Sequence, residues 1–275
     1  MTPAAEQQTQ EVDPVADEQW RTRRGGVETA LRTSAVWSAV RDLLDAKRAS
    51  RQADGDRPLR VLDLGGGTGG LAVPLAELGH EVVVVDPSPD ALASLSRRSA
   101  ERGVAGRVTA VQGDADSLAG IVGDQLVDLV CCHGTLEVVD DPQATLTALA
   151  GVVAPGGHLS IVAAQRLAVV LARALAGQFA QAHQALVSED GRWGPADPLP
   201  RRFDASTLRA MVEQTGLVVE DVHGVRLFSD LVPSALIDSD ADRAALLDLE
   251  AAASRHPDFG FLGELGAAVH VLART

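Results

Sequence analysis

The chain has 275 residues, of which 46% are hydrophobic and 23% are charged, values typical of globular proteins built around an apolar core. Its formal net charge of -14 at pH 7 argues against generic binding to nucleic-acid phosphates, which carry the same sign. No apolar run approaches the roughly 18 residues of a membrane span, and the polar, acidic start is unlike a signal peptide, so we expect a cytoplasmic protein.

The chain begins with a polar stretch followed by one predicted helix. Residues 1–14 are polar and acidic and are expected to be disordered. Apolar side chains then recur near helical spacing over Val27–Ala49, which predicts a helix. The Gly- and Asp-rich segment Ala53–Arg57 would separate this helix from the first strand. We expect residues 15–275 to form a single domain.

Predicted strands alternate with predicted helices through the middle of the chain. The strands are Val61–Leu64, His80–Asp86, Val108–Val111, Leu126–Cys132 and Leu159–Ala163, and the helices are Leu71–Leu78, Ser88–Arg102 and Gln143–Val153. This alternation favours a doubly wound parallel sheet, in which ligands bind outside the carboxyl ends of the strands. The adjacent Cys131 and Cys132 lie in an apolar run and are interpreted as buried strand residues.

The pattern changes after the fifth predicted strand. Leu167–Leu186 is rich in Ala and Leu and predicts a helix, and residues 188–203 form a loop rich in Gly, Pro and charged side chains. This insertion, about residues 165–203, would lie over the mouth of a pocket, where loops commonly select the substrate. The remaining elements are predicted as a helix at Asp204–Thr215, strands at Leu217–Val222 and Val225–Leu231 with a break at His223 and Gly224, a helix at Ala241–Arg255 and a strand at Gly266–Ala273.

The stretch Arg60–Gly70, RVLDLGGGTGG, predicts a strand, a glycine turn and the start of a helix. Glycines allow such a turn to be tight and to approach a ligand closely. Asp86 ends the next predicted strand, and an Asp about 20 residues past the first glycine suits hydrogen bonding to ribose hydroxyls. The segment therefore predicts a site for an adenosine-type cofactor.

Two cofactor patterns fit this turn. The glycines at positions 65, 67 and 70 satisfy G-x-G-x-x-G, the dinucleotide pattern. Asp63 and the glycines at positions 65, 67 and 69 satisfy D-x-G-x-G-x-G, the pattern of class I S-adenosylmethionine (SAM) methyltransferases. The glycines alone leave both patterns open.

Features beyond the turn favour SAM. Asp114 and Asp116 follow the third predicted strand, where class I methyltransferases use an acid to accept a hydrogen bond from the adenine amine. The APGG turn at Ala154–Gly157 is also common in methyltransferases. We therefore predict an α/β fold with a Rossmann-like, doubly wound, seven-stranded sheet ending in an antiparallel pair, with N-terminal helices and a helical and loop insertion after strand five.

Several longer stretches match one known family. They are LRTSAVW (31–37), RVLDLGGGTGG (60–70), HGTLEVVDDP (133–142), AGQF (176–179), GVRLFSDLV (224–232), LLDLEAAASRHP (246–257) and HVLAR (270–274). Residues from about Val27 to Arg274 thereby resemble the bacterial tRNA 5-carboxymethoxyuridine methyltransferases, which esterify the carboxylate of a modified wobble uridine. The resemblance implies that SAM contacts Arg32, Gly65, Gly66, Asp86, Ala115, Asp116 and His133, to which the two site patterns add Asp63, Gly67 and Asp114.

Each implied contact has a chemical rationale. The Arg32 guanidinium would pair with the methionine carboxylate, where two parallel charge-assisted hydrogen bonds are strong. The Asp86 carboxylate would accept hydrogen bonds from the ribose hydroxyls, and His133 would lie beside the sulfonium and the amino-acid group. Asp140 and Asp141 are interpreted as a helix cap before Pro142, so no metal site is predicted.

The methyl acceptor is less narrowly defined by the sequence. A carboxylate is ionised at pH 7 and needs no general base, so we name no catalytic base. Arg226, Arg201 and Arg202 are predicted to steer an anionic substrate. The loop before Arg201 is acidic to neutral, which keeps a second hypothesis open, a methyltransferase of a small acid or natural product. A third hypothesis is a SAM-binding protein without catalytic activity.

Overall fold

The computed structural model describes residues 35–51, 57–233, 236–237, 239–254 and 256–275. The predictions for residues 1–14, for Arg32 and for most of the break at 53–57 lie outside these residues, as does the first part of the predicted N-terminal helix. Within the described part of the chain, no helix combines the length and apolar character needed to cross a membrane.

One seven-stranded sheet organises the molecule. Its strands are β1 (Arg60–Leu64), β2 (Glu81–Asp86), β3 (Val108–Gln112), β4 (Val127–His133), β5 (Val153–Ala164), β6 (Val218–Val225) and β7 (Ala268–Arg274). They lie in the order β3-β2-β1-β4-β5-β7-β6. Strands β1 to β5 are parallel, and β7 runs antiparallel to both β5 and β6. This topology confirms the predicted doubly wound sheet and its antiparallel final pair.

The helices pack on both faces of the sheet. They are α1 (Ala35–Arg51), α2 (Ala72–Glu77), α3 (Pro89–Glu101), α4 (Leu118–Val122), α5 (Pro142–Gly151), α6 (Arg166–Leu175), α7 (Phe179–Val187), α8 (Ala205–Glu213) and α9 (Asp240–Ser254), with single 3₁₀ segments at Ala115–Ser117 and Gly260–Leu265. Two predicted caps are confirmed: the Ser88 side chain accepts from the Ala91 N–H at 3.3 Å, and Asp141 accepts from the Ala144 N–H at 3.0 Å. Both caps satisfy N–H groups that the first helical turn leaves unpaired.

Two apolar clusters form the core, one on each face of the sheet. Successive strand residues point to opposite faces, so Val61 and Cys131 enter one cluster while Leu62 and Cys132 enter the other. The first cluster includes residues of α1, α2 and α3, and the second includes residues of α4, α5 and α8. Both cysteines are buried free thiols, as the sequence predicts. Burial on both faces explains why the central strands are nearly continuous apolar runs.

The structure corrects the predicted elements near the end of the sheet. Strand β6 is continuous through His223 and Gly224, where the sequence suggested a break. It then ends, and Val225–Leu231 is not a second strand. The physical reason is the backbone of Arg226, whose φ of 57° leaves the extended region immediately after β6.

The helical part of the insertion is also divided differently. Instead of one helix over Leu167–Leu186, α6 and α7 meet at Gly177, whose φ of 72° ends α6. The predicted APGG turn lies inside β5, where the pairing with β4 shifts register between Val127 and Leu129. The element boundaries move, whereas the insertion remains between β5 and α8.

Because β5 lies between β4 and β7 in the sheet, we expect truncation of its buried side chain Ile161 to lower the free energy of unfolding substantially. Ile161 is fully buried and pairs with Cys132 on β4 and Val271 on β7. We expect Ile161→Ala to lower the free energy of unfolding by about 2–5 kcal/mol, because it removes buried methyl groups and leaves a cavity. Val218→Ala, on β6 with 56% of the residue exposed, is the control and should change it by less than about 0.5 kcal/mol. Urea denaturation measures both, and equal losses would contradict this account of the core.

Candidate functional site

The carboxyl ends of the parallel strands bring the predicted site residues to one edge of the sheet. In register, Leu64 at the end of β1 pairs with Val85 on β2 and with Cys132 on β4. The chain therefore leaves β1 with a neighbouring strand on each side, and the strand order reverses between β1 and β4. Such a switch point opens a crevice outside the strand ends, where open α/β sheets bind ligands.

The glycine turn after β1 is held at both sides of this crevice. Gly65 has a φ of 72°, and its N–H donates to the Val85 carbonyl at 2.7 Å. A Cβ on Gly65 would lie 2.1 Å from the Thr135 hydroxyl oxygen, which donates to the Leu64 carbonyl at 3.1 Å. A Cβ on Gly66 would lie 2.5 Å from a carboxylate oxygen of Asp63. Only glycine therefore fits at these two positions.

Asp86 fixes the turn to the end of β2. One carboxylate oxygen accepts from the Gly67 N–H and the other from the Ser88 N–H, both at 2.9 Å. The residue is buried, with 5% of its surface exposed, so these bonds offset the cost of removing a carboxylate from water. Each oxygen has a second lone pair, which leaves acceptor capacity for ligand hydroxyls.

Asp63 lies below the turn. It is 3% exposed, and burial followed by repulsion from Asp86 raises its pKa to about 7. The carboxyl is therefore partly protonated at neutral pH. Its place against Gly66 makes it part of the floor of the turn and not of its surface.

Asp114 and Asp116, the two acids after β3, have different environments, although the sequence predicts that both belong to the cofactor site. The Asp114 carboxylate accepts from the Asp116 N–H at 3.1 Å and the Ser117 N–H at 3.3 Å, while the Ser117 hydroxyl accepts from the Asp114 N–H. Asp114 therefore caps the 3₁₀ turn that begins with the half-buried Ala115. Asp116 is exposed at the same edge of the sheet, where its carboxylate can meet a ligand.

His133 ends β4 and is half-buried. Its Nε2 lies 2.8 Å from the Ser160 hydroxyl on β5, which in turn lies 2.8 Å from Nε2 of His270 on β7. Burial lowers the pKa of His133 to about 4, so the ring is neutral at pH 7. Its Nδ1 is shielded from solvent and has no hydrogen-bond partner among the described residues.

Sequence reasoning did not single out Ser160 or His270. Both are fully buried polar residues in strands that are otherwise apolar, LSIVA and AAVHVLA. Buried polar groups need partners, so a polar residue inside such a run is a usable signal. The sequence could have marked these residues, although not their contact with His133.

The three arginines predicted to steer a substrate occupy different environments. Arg202 is buried and forms two bonds with the Asp197 carboxylate, at 2.6 and 3.0 Å, which assigns it to the internal structure of the insertion. The Arg201 guanidinium donates to the carbonyls of Val139 and Asp140, after β4. Arg226 pairs loosely with Asp230, at 3.7 Å, and 29% of its side chain is exposed.

The insertion begins and ends at the carboxyl end of β5. The Phe203 N–H donates to the Ala164 carbonyl at 2.9 Å, and the Arg166 N–H donates to the Phe203 carbonyl at 3.1 Å. Residues 165–203 therefore leave and rejoin the sheet at the site edge, the position that the sequence predicts.

Metal-binding groups and other cavities do not extend this candidate site in the described part of the chain. Among the residues that the structure describes, no group of three or more His, Cys, Asp or Glu side chains is placed to hold a metal ion. A cavity of about 190 Å³, lined by Arg48, Arg57, His80, Arg107 and their neighbours, lies at the amino ends of the strands. It faces away from the glycine turn, at the opposite edge of the sheet.

The buried Asp63 carboxyl predicts a pH dependence of stability. Its pKa rises from 3.8 to about 7 on folding, so the folded protein binds this proton more tightly, and the carboxyl destabilises the fold progressively as the pH rises through this window. Asp63→Asn cannot ionise. Relative to wild type, we expect its free energy of unfolding to rise by up to about 1.4 kcal/mol for each pH unit between 5 and 7.

Chemical denaturation at several pH values measures this difference. Asp90→Asn, which removes an exposed carboxylate on α3, controls for the change in net charge. A constant difference between wild type and Asp63→Asn from pH 5 to 8 would contradict the raised pKa.

Comparison with known proteins links this geometry to a family. Residues 62–161 match the model of a methyltransferase domain. The tRNA 5-carboxymethoxyuridine methyltransferase of Escherichia coli (strain K12) is 29% identical over 267 residues, 97% of this chain and 97% of that protein. The ubiquinone biosynthesis O-methyltransferase of Xanthomonas axonopodis pv. citri (strain 306) is 32% identical over 168 residues, 60% of this chain and 65% of that protein.

A solved structure shares the fold. Magnesium protoporphyrin IX methyltransferase from Synechocystis PCC 6803, with bound S-adenosylhomocysteine, matches with a TM-score of 0.51 and 16% identity, covering 84% of this chain and 81% of that chain. The glycine turn, the buried acid at the end of β2 and these matches agree on S-adenosylmethionine as the cofactor. The chain is therefore a SAM-dependent methyltransferase with the class I methyltransferase fold.

Proposed function

We propose that this enzyme methylates the carboxylate of a carboxymethoxy group on a modified wobble uridine of tRNA. The observation that carries the proposal is the extent of the similarity to the E. coli tRNA methyltransferase. It covers 97% of both chains and therefore includes the insertion and the C-terminal elements, whereas the similarity to the ubiquinone O-methyltransferase covers 60% of this chain. Elements outside the cofactor-binding half are those that select the acceptor.

The residues present fit the cofactor. Glycine at positions 65 and 66 lets the turn pack closely against Thr135 and Asp63 at the strand edge, where the methionine part of SAM is proposed to lie. Asp86 has acceptor lone pairs for the ribose hydroxyls, and the exposed Asp116 would accept from the adenine amine while Ala115 lies beside the ring. Arg32, outside the described residues, is proposed for the methionine carboxylate. Asp63, Gly67 and Asp114 support the turns that carry these contacts.

Methyl transfer from SAM requires the protein mainly to align the acceptor oxygen with the methyl group. Bound SAM supplies an activated methyl group, which an attacking oxygen takes as the bond from carbon to sulfur breaks. A carboxylate is ionised at pH 7, so no residue needs to remove a proton from it. The site residues would hold the acceptor in line and exclude water, which is where most of the rate gain of such a transfer arises.

Arg226 is proposed to orient the anionic acceptor, with Arg201 in a supporting position. Strand β6 runs in the same direction as β1, so Arg226 lies at the edge of the sheet that carries the glycine turn. Among the described residues that are not glycine, Arg226 alone has a positive φ, and such backbone strain is most often kept at functional sites. Its pairing with Asp230 at 3.7 Å is loose enough to be exchanged for a substrate carboxylate.

A small carboxylic acid is the second candidate acceptor. The net charge of -14 opposes the approach of a polyanion, and the loop at residues 188–197 holds three acids and one arginine. A free acid would meet the same chemistry without that long-range repulsion. If the acceptor is tRNA, the protein acts in the cytoplasm.

The proposed ribose contact gives the first prediction for this function. We expect S-adenosylhomocysteine to raise the melting temperature of wild type, and Asp86→Ala to lose most of that rise, because it removes the ribose acceptor and the clamp on the turn. Thermal-shift measurements test this, with Asp90→Ala, exposed on α3, as control. A folded Asp86→Ala protein that keeps the full rise would refute the assignment.

The acceptor is tested by label transfer. Methyl-labelled SAM is incubated with the enzyme and either total tRNA from a strain lacking this enzyme or a small-molecule extract of the same cells. Label in tRNA that mild base releases as methanol indicates a methyl ester and supports the proposal. Label only in the small-molecule fraction would reject tRNA in favour of the second candidate.

The same assay tests Arg226. We expect Arg226→Ala to raise the KM for the acceptor by roughly tenfold or more, the value of one charge-assisted hydrogen bond, while leaving affinity for S-adenosylhomocysteine unchanged. Arg209→Ala, which removes an exposed arginine paired with Glu213 on α8, is the control. An unchanged KM would remove Arg226 from the proposal without affecting the choice of acceptor.

A further inference from the structure

A chain of hydrogen bonds crosses four strands, from the cofactor edge to the surface. His133 Nε2 lies 2.8 Å from the Ser160 hydroxyl, which lies 2.8 Å from His270 Nε2. His270 Nδ1 lies 3.2 Å from His223 Nε2, and His223 Nδ1 lies 2.9 Å from an Asp221 carboxylate oxygen. We call these five residues the histidine relay. It connects β4, β5, β7 and β6 in their spatial order.

The sheet register explains why these side chains meet. His133 pairs with Val162, Val162 with His270, and His270 with His223, so the three histidines lie in one row across the sheet. Ser160 precedes Val162 by two residues and therefore points to the same face. Its short side chain leaves room for a ring on each side. The arrangement depends on the parallel pairing of β4 and β5 and the antiparallel pairing of β5, β7 and β6.

Burial makes the relay a constrained system. Ser160 and His270 have no exposed surface, and polar groups in such positions are costly unless they are hydrogen-bonded. Burial lowers the pKa of both His133 and His270, so each ring carries one proton at neutral pH. A neutral ring has one donor and one acceptor nitrogen, so each link in the chain restricts the next.

The exposed end of the relay sets its direction. A hydrogen bond from His223 lowers the pKa of Asp221, whose ionised carboxylate can only accept, so His223 carries its proton on Nδ1. In this tautomer, His223 accepts at Nε2 from His270 Nδ1–H. His270 Nε2 accepts from the Ser160 hydroxyl, and the Ser160 oxygen accepts from His133 Nε2–H. The last free group is the lone pair on His133 Nδ1.

We propose that Asp221, His223, His270 and Ser160 are positioning residues that hold His133 with its proton on Nε2, so that Nδ1 accepts a hydrogen bond from the α-ammonium group of SAM. The inference rests on the proposed function and on the contact between His133 and the amino-acid group of SAM that the sequence resemblance implies. The alternative tautomer would direct an N–H at the ammonium, where two donors oppose each other. Asp221, a surface carboxylate on β6, thereby controls a nitrogen three strands away.

Two ligands separate this effect from general damage to the fold. S-Adenosylhomocysteine carries the α-ammonium, whereas 5′-methylthioadenosine keeps the adenosine and the sulfur but lacks the amino-acid part. We expect Asp221→Ala to lower the affinity for S-adenosylhomocysteine by roughly three- to tenfold, as the loss of one oriented hydrogen bond would. The affinity for 5′-methylthioadenosine should not change. Asp221→Asn keeps an oxygen that can accept from His223 and should retain most of the affinity. Calorimetric titration measures all of these dissociation constants.

Glu220 provides a matched control on the same strand. It pairs with His158 and Arg274 and takes no part in the relay, so Glu220→Ala should leave both affinities unchanged. Nitrogen-15 NMR of the histidine rings gives a second readout that needs no ligand. In wild type at neutral pH, we expect the His133 signals of a protonated Nε2 and an unprotonated Nδ1, and in Asp221→Ala a mixture of tautomers.

The outcomes distinguish the relay from the proposed function. Failure of wild type to bind S-adenosylhomocysteine, or an unchanged preference for it over 5′-methylthioadenosine in His133→Ala, would reject the placement of His133. Suppose that wild type binds S-adenosylhomocysteine and that His133→Ala loses the preference for it. If Asp221→Ala then lowers the affinities for the two ligands equally, or lowers neither, the relay does not act on the cofactor. An Nδ1-protonated His133 in wild type would overturn the assigned direction.

Discussion

The alignment of parallel strands is the constraint on which the rest of this structure depends. Because β1 to β5 run in one direction, the segments that follow them meet at one edge, and the reversal of strand order beside β1 leaves a crevice there. The turn after β1, the acid that ends β2, the cap after β3 and the histidine that ends β4 come from distant parts of the sequence. Their common location follows from strand direction alone.

Placing acids at this edge has an electrostatic consequence. Asp63 and Asp86 lie close enough to repel, and both are buried. Asp86 accepts two backbone N–H bonds, which suit an ionised carboxylate. For Asp63, burial and the neighbouring charge shift the balance toward the protonated form. The two neighbouring carboxyls thus have different partners: Asp86, at the end of β2, accepts from the backbone of the turn, and Asp63, on β1, fills the floor below Gly66.

Features encoded by local patterns could be predicted from the sequence, and features created by distant contacts could not. Apolar runs and glycines define β1, its turn and the strand that ends in Asp86. Gly224 predicts a strand break because glycine disfavours strands, and this prediction is wrong: a Cβ there would lie 2.2 Å from the Gly263 carbonyl oxygen. Glycine is needed at position 224 because the backbone of Gly263, 39 positions later in the chain, lies against it. Likewise, Ser160 and His270 are separated by 110 positions and meet only through the sheet.

The arginines of the insertion show why charge counts alone do not identify the acceptor. Arg166 donates to the carbonyls of Ser188 and Glu189, Arg202 binds Asp197, and Arg201 binds carbonyls after β4. These hydrogen bonds hold the insertion together and anchor it beside the strand that ends in His133, so the donors of these guanidinium groups are engaged within the protein. Under the proposed function, the acceptor would offer a compact anion to a few oriented groups, foremost Arg226, and not a long phosphate backbone to a basic face. A single carboxylate on a flipped-out base, or on a free acid, meets that requirement.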